Sequence, residues 1–198
     1  MPTGVAIPDA RQQLFDAAER VLLRDGPSGL TSRAVTAEAG CAKGVLHRHF
    51  ADLDAFLAEL VLDRIGRIGE QSVVLRQSAG TGTVADNLTG ALIALFGYVA
   101  LEIVGLVISR DDLRARLRQT TPTGVPVLTE ATAMIASYLT AERQLGRIVA
   151  EADVDTLGLT LIGAGHLLFA GREGAPDVGA VRTVVGPIIA LVVPEPLA

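Results

Sequence analysis

Tryptophan is absent from this 198-residue chain, and aromatic side chains make up only 4% of it against a hydrophobic content of 49%. A core so poor in rings has to be filled with Leu, Val, Ile and Ala, which suits close-packed helices. The single cysteine, Cys41, excludes an intramolecular disulfide and fits a reducing compartment. The first residues, MPTGVAIPDARQQ, have no basic segment followed by an apolar run, so no secretory signal is read and a cytoplasmic location is expected. Charge of positive sign is also scarce overall, the net value being -5. That balance excludes a chain that grips a polyanion with its whole surface.

Chemistry is missing too. There is no glycine loop to cradle phosphate, no nucleophile elbow, and no partnered set around Cys41. His47, Arg48 and His49 are helical neighbours about 100° apart, which cannot readily chelate one ion. Glu151, Asp153 and Asp155 lack the glycine and distal glutamate of a calcium loop. No enzymatic activity, metal or cofactor is expected. The segment Gly90–Ser109 is long and apolar, with Glu102 as its only charge. It reaches the roughly 20 residues that span a bilayer, but the internal glutamate, the glycines and the absence of tryptophan anchors favour a buried core helix over a membrane span.

What is present is helix after helix, with no alternation of the kind strands require. A first helix is expected from near Asp9 to Arg24, ended by Gly26 and Pro27, and a fourth, capped by Asp52, running toward Arg76. The turn cluster Ser78–Thr83 breaks the chain. An apolar helix or helix pair follows over Val84–Ser109, then a helix over Asp111–Gln119 and the loop Thr120–Pro126. Val127, Ala131, Met134, Ile135, Tyr138 and Leu139 keep helical spacing toward Arg143. Asp153 and Asp177 are placed to cap the last two helices, which end near Gly171 and Val193. The fold class is all-α, with about nine helices. Gly158, Gly163, Ala164 and Gly165 in the penultimate helix, and an apolar final helix holding Pro187, suggest self-association.

The most informative stretch is Thr31–Phe50, TSRAVTAEAGCAKGVLHRHF. Thr31 or Ser32 can cap a short helix, Val35 and Ala39 fall on one face, and Gly40 supplies the left-handed stop. Cys41 plugs the turn. In the next helix Leu46 and Phe50 form a buried stripe, while Lys43, Gly44 and His47 lie opposite and Arg48 and His49 flank them. This is the layout of a helix-turn-helix, which lays a short helix in the major groove of duplex DNA. Locally the charge is favourable: Arg33, Lys43 and Arg48 face only Glu38. Exposed charges act over only about 10 Å at moderate salt, so this local excess outweighs the acidic remainder.

The stretches LFDAAERVLLRDG, GLTSRAVTAEAG, CAKGVLHRHF and ADLDAFLAELV (Leu14 to Val61) resemble the tetracycline-repressor (TetR) family of bacterial transcriptional regulators. The resemblance covers roughly the first third of the chain. It implies a reading helix over Ala42–Phe50, with Lys43, Gly44, Val45 and His47 toward bases or backbone and Thr31, Ser32 or Arg33 on phosphate. Three positions depart from the family's pattern: His47 in place of the usual tyrosine, Ala42 in place of a capping serine, and Leu53 in place of a frequent lysine. The resemblance also implies a DNA-binding domain over residues 9–55, a ligand-binding and dimerisation domain over 56–198, and a homodimer through the last two helices (about 154–171 and 178–193). A repressor released from a palindromic operator by a small-molecule effector follows from it. Candidate effector contacts are Tyr98, Glu102, Met134, Tyr138 and His166, polar or adaptable groups on aliphatic helices. The alternative is a helical small-molecule-binding or scaffold protein that has lost DNA reading.

Overall fold

A computed structural model describes residues 9–97, 100–122, 124–171 and 175–194. Among them are ten helices and no strand: α1 (Ala10–Gly29), α2 (Ser32–Glu38), α3 (Gly44–His49), α4 (Leu53–Gln77), α5 (Val84–Phe96), α6 (Ala100–Ser109), α7 (Asp111–Leu117), α8 (Pro126–Gln144), α9 (Val154–Ala170) and α10 (Val178–Ala190). Ten replace the expected nine because the apolar run from Val84 divides. Gly97 closes α5 by donating its N–H to the Ile93 carbonyl at 2.7 Å, and a Cβ at position 97 would lie 2.4 Å from that oxygen. No single helix among the described residues is long and apolar enough to cross a membrane.

Short-range chemistry starts most of these helices. The carboxylates of Asp9, Asp52, Asp153 and Asp177 accept the backbone N–H three residues on, and so do the hydroxyls of Thr31 and Thr83. Each thereby satisfies one of the otherwise orphaned first-turn donors. α1 differs from expectation at its end. Gly26, at φ 69° and ψ −177°, interrupts the helix, and one further turn follows through Pro27 to Gly29. Positive φ is cheap only for glycine, so the break sits where the sequence permits it.

The core is built on α8, whose Ala131, Ile135, Tyr138 and Leu139 are fully buried. α8 packs between α4 and α9, and α10 lies against α5 and α9. Along α4 the buried stripe runs Leu57, Leu60, Val61, Arg64, Ile68 and Leu75, the i, i+3, i+4 spacing of an amphipathic helix, with a cation set into it. Each fully buried Leu contributes about 1.5–3 kcal/mol of transfer free energy. α9 and α10 still leave apolar side chains outside: Leu159 is 65% exposed, Leu167 74%, Val178 60% and Leu191 83%.

A buried polar knot locks the turn between α4 and α5. The Tyr138 hydroxyl donates to Glu142 Oε1 at 2.5 Å and accepts from Asn87 Nδ2 at 3.0 Å. Glu142 Oε2 accepts the Gly80 N–H at 3.2 Å and faces Arg147 at the same distance. Arg147 in turn donates to the Gly82 carbonyl at 2.5 Å. A fully buried glutamate is tolerable only with such partners. Burial, reinforced by the hydrogen bond to Glu142, holds the Tyr138 phenol above its ordinary range.

Candidate nucleic-acid interface

α2 and α3 form the pair expected from Thr31–Phe50. Thr31 accepts the Ala34 N–H at 3.1 Å, and Val35, Thr36 and Ala39 turn inward. Gly40 takes φ 65°, the left-handed stop, and the next N–H, of Cys41, bonds back to the Thr36 carbonyl at 3.0 Å. α3 is shorter than expected, six residues from Gly44 instead of nine from Ala42. The reason is chemical: neither Ala42 nor Lys43 supplies a capping acceptor, so the first turn is closed only by Val45 N–H to the Ala42 carbonyl at 2.9 Å. Phe50 ends the helix in extended conformation.

A helix this short is not stable alone, since isolated helices below about 12–15 residues are marginal in water. It is held from beneath. The Phe50 ring lies 5.0 Å from Phe56 and 5.9 Å from Phe15, and Phe15 is 5.6 Å from Phe56. Three of the five phenylalanines of a ring-poor chain are thus gathered under α3. The Arg11 guanidinium covers the Phe50 ring at 4.7 Å and pairs with Glu59 of α4.

Above this base the surface is polar and cationic. Ala42, Lys43, Gly44, His47, Arg48 and His49 are exposed, as are Thr31 and Arg33, while Ser32 is half-buried. Val45 is a correction. Expected toward the bases, it is only 7% exposed and belongs to the core. A helix lying on an apolar base buries an arc of at least about 100°, which takes in both Val45 and Leu46.

The electrostatics sharpen the picture. Glu38, the one acid between Thr31 and Phe50, is tied to α1 by Arg20 and Arg24, each at 2.8 Å. Those hydrogen bonds hold its carboxyl below the usual range. Among the described residues Arg33, Lys43 and Arg48 enter no ion pair within 4.0 Å. The acid is neutralised within the protein and the cations stay available to an outside anion.

The expected effector contacts do not converge. Tyr98 lies outside the described residues. Glu102 is half-buried on α6, and Tyr138 is committed to the polar knot, which corrects its reading as a ligand group. His166 is half-buried on α9 beside Phe96, the rings 6.2 Å apart. Of these residues only Met134 lines an open cavity of about 650 Å³ between α4, α5 and α8. Arg64, Arg67, Gln71 and Asn87 line it as well. The signal that could have found them is the interruption of the α4 apolar stripe by Arg64. A second cavity, about 510 Å³, lies by Thr83, Arg147 and Ile189.

Three sets of contacts hold the N-terminal half of α4, which follows the helix pair, against α7 and α1. Arg110, ahead of α7, pairs with Asp54 at 2.7 Å, and Arg116 with Asp52 at 3.1 Å. The Ala55 N–H and then Arg116 keep the Asp52 carboxyl below its ordinary range. On the other side, Glu19 of α1 faces Arg64 and Arg67 of α4.

Residues 14–60 match the sequence family described as bacterial regulatory proteins, tetR family. No curated protein matches the chain by sequence. Among solved structures, reduced NemR of E. coli superposes with a TM-score of 0.73 at 13% identity, covering 92% of this chain and 96% of that one. SmeT, the repressor of the Stenotrophomonas maltophilia multidrug efflux pump SmeDEF, gives 0.63 at 18% identity, with 96% and 98% covered. The Bacillus subtilis transcriptional regulator FadR in complex with stearoyl-CoA gives 0.66 at 17% identity, with 90% and 97% covered.

Proposed function

Since the chain belongs through residues 14–60 to the tetR family of bacterial regulatory proteins, we propose that it is a dimeric, cytoplasmic transcriptional repressor that leaves a near-palindromic operator when a small molecule occupies the α4–α5–α8 cavity. The observation that carries this reading is the outward cationic face of α3, seated on Phe15, Phe50 and Phe56, with Glu38 neutralised behind it. Lys43, Gly44 and His47 approach the bases; Arg33, Arg48 and His49, with Thr31, Ser32 and Ala42, sit along the phosphates.

Residues 9–55 act as the reading head and 56–198 as the body. That division falls inside α4, a continuous 25-residue helix, so any tilt of α4 in the body is carried into the head. The exposed Leu159 and Leu167 of α9, Val178 of α10 and Leu191 just beyond its end support dimerisation through these two helices. A twofold dimer then presents two copies of α3 to successive major grooves. That SmeT is a repressor and that FadR was solved with stearoyl-CoA supports an effector-released repressor on this fold. A tenfold loss of operator affinity needs only about 1.4 kcal/mol of preference for the non-binding spacing. The test is selection of duplex fragments from a random library by the full chain. Enrichment of an inverted repeat with half-sites one or two helical turns apart is expected. If no repeat is enriched, the protein is a ligand-binding or scaffold protein that does not read DNA.

A further inference from the structure

Two arginines stand on the wall of the α4–α5–α8 cavity nearest α1. Arg64 and Arg67 line the cavity and also approach Glu19 of α1, at 3.9 and 3.8 Å. Those separations exceed the 2.7–3.2 Å or so of a normal hydrogen bond. Glu19 Oε1 is shielded from solvent and makes no hydrogen bond among the described residues. Arg67 is further shared with Asp63 at 3.1 Å and Asp16 at 3.7 Å. The remaining walls combine apolar Val74, Leu75, Ala91, Ala94 and Met134 with the uncharged polar Gln71, Ser78 and Asn87. Two other acids border the cavity, but Asp86 is taken by Arg182 of α10 and Glu70 is exposed at the rim.

Resting on the effector reading above, we propose that this cavity takes an amphipathic organic anion, whose carboxylate bonds Arg64 and Arg67 and draws them from Glu19, so that the ligand releases α1 from α4. A ligand carboxylate can reach both guanidiniums at hydrogen-bond distance, and such charge-assisted bonds are roughly twice as strong as neutral ones. Glu19, constrained by its own helix, does not attain that distance. Burial, opposed by Arg64 and Arg67, keeps the Glu19 carboxyl above its ordinary range, so it accepts a proton readily once the arginines turn to the ligand. The contest for two arginines connects cavity to head: the carboxylate that wins inside the body loosens the helix that carries Phe15, one of the three phenylalanines under α3.

The experiment titrates the full chain with decanoate, decyltrimethylammonium and decan-1-ol, following binding calorimetrically and operator occupancy by fluorescence anisotropy. Decanoate should bind at least tenfold more tightly than the other two and should release operator. Gly90 lines the cavity, and a Cβ there meets nothing within 4 Å. Gly90→Leu, a substitution favourable to helix, should therefore fill the cavity, abolish decanoate binding and keep operator binding. Arg67→Gln should weaken decanoate at least tenfold, and Glu19→Gln, which removes the competitor, should tighten it by a similar factor. Equal binding of the ammonium or the alcohol overturns the proposal, as does a Gly90→Leu chain that still binds decanoate or a Glu19→Gln chain that binds it no better. Operator binding by the ligand-free chain is recorded in parallel. Its absence contradicts the regulator reading, whereas operator binding without preference for the anion overturns the anion proposal alone.

Discussion

Phe50→Ala removes the ring on which α3 rests. Phe50 is 4% exposed, touches the rings of Phe56 and Phe15 at 5.0 and 5.9 Å, and lies under Arg11 at 4.7 Å. Truncating a buried phenylalanine costs about 3–5 kcal/mol through lost transfer and the cavity left behind. Each aromatic pair adds about 0.5–1.5 kcal/mol beyond area, which places this site near the upper end. If the chain unfolds cooperatively, the midpoint should fall by about 6–20 °C. The functional loss should exceed the thermal one, because a six-residue helix without a side-chain cap has little to hold it once its base is gone. Operator affinity should therefore drop at least tenfold, on the order of 1.4 kcal/mol or more, at temperatures where the body remains folded. Phe50→Leu, which keeps most of the apolar volume, should cost about 1.5 kcal/mol or less. Urea denaturation and fluorescence anisotropy measure the two quantities. A Phe50→Ala chain that loses under about 1 kcal/mol and reads DNA normally would refute the idea that the phenylalanines support α3.

Three further outcomes are expected. Leu159→Glu with Leu167→Glu places two charges on the exposed face of α9 and should give a monomer by sedimentation, with weakened operator binding; an unchanged dimer would move the interface elsewhere. Tyr138→Phe strips Glu142 of a donor and Asn87 of an acceptor, at about 1–3 kcal/mol in urea denaturation; no measurable loss would mean the knot does not stabilise the turn. Glu19 titrates with a raised pKa when folded, so the native state binds its proton more tightly than the unfolded chain. Its contribution to stability therefore falls as pH climbs from the unfolded value near 4.5 through the raised native one, and the full penalty stands above that native value. Glu19→Gln should flatten that limb and match or exceed the parent's stability at neutral pH; a steeper limb would contradict the burial argument.

How much of this was legible in the sequence depends on the reach of the interaction. The caps at Thr31, Asp52, Asp153 and Asp177 were readable because each bond spans three residues. Gly40 was readable because a left-handed stop demands glycine. The resemblance, carried over by position, overextends α3 to Ala42–Phe50: Ala42 is a weak cap, and the helix begins after it. Val45 is misplaced by the same carry-over, because the arc of α3 buried on the phenylalanines is wide enough to take it in beside Leu46. Tyr138 was misread for another reason. Its partner Asn87 is 51 positions away, so only the tertiary fold reveals that its hydroxyl is occupied. The counter-ions of Arg64 and Arg67, Glu19 and Asp16, lie on a helix dozens of residues earlier, so only the tertiary fold pairs them.

The salt dependence of duplex binding tests the central claim most directly. Each neutralised phosphate contributes a slope of about −0.9 in log affinity against log salt. In a dimer Arg33→Ala or Arg48→Ala removes one such contact from each half-site, so either substitution should make the slope shallower by about two while leaving the fold intact. A parent chain whose binding ignores salt, or variants whose slopes match the parent's, would mean that the exposed side of α2 and α3 does not meet DNA.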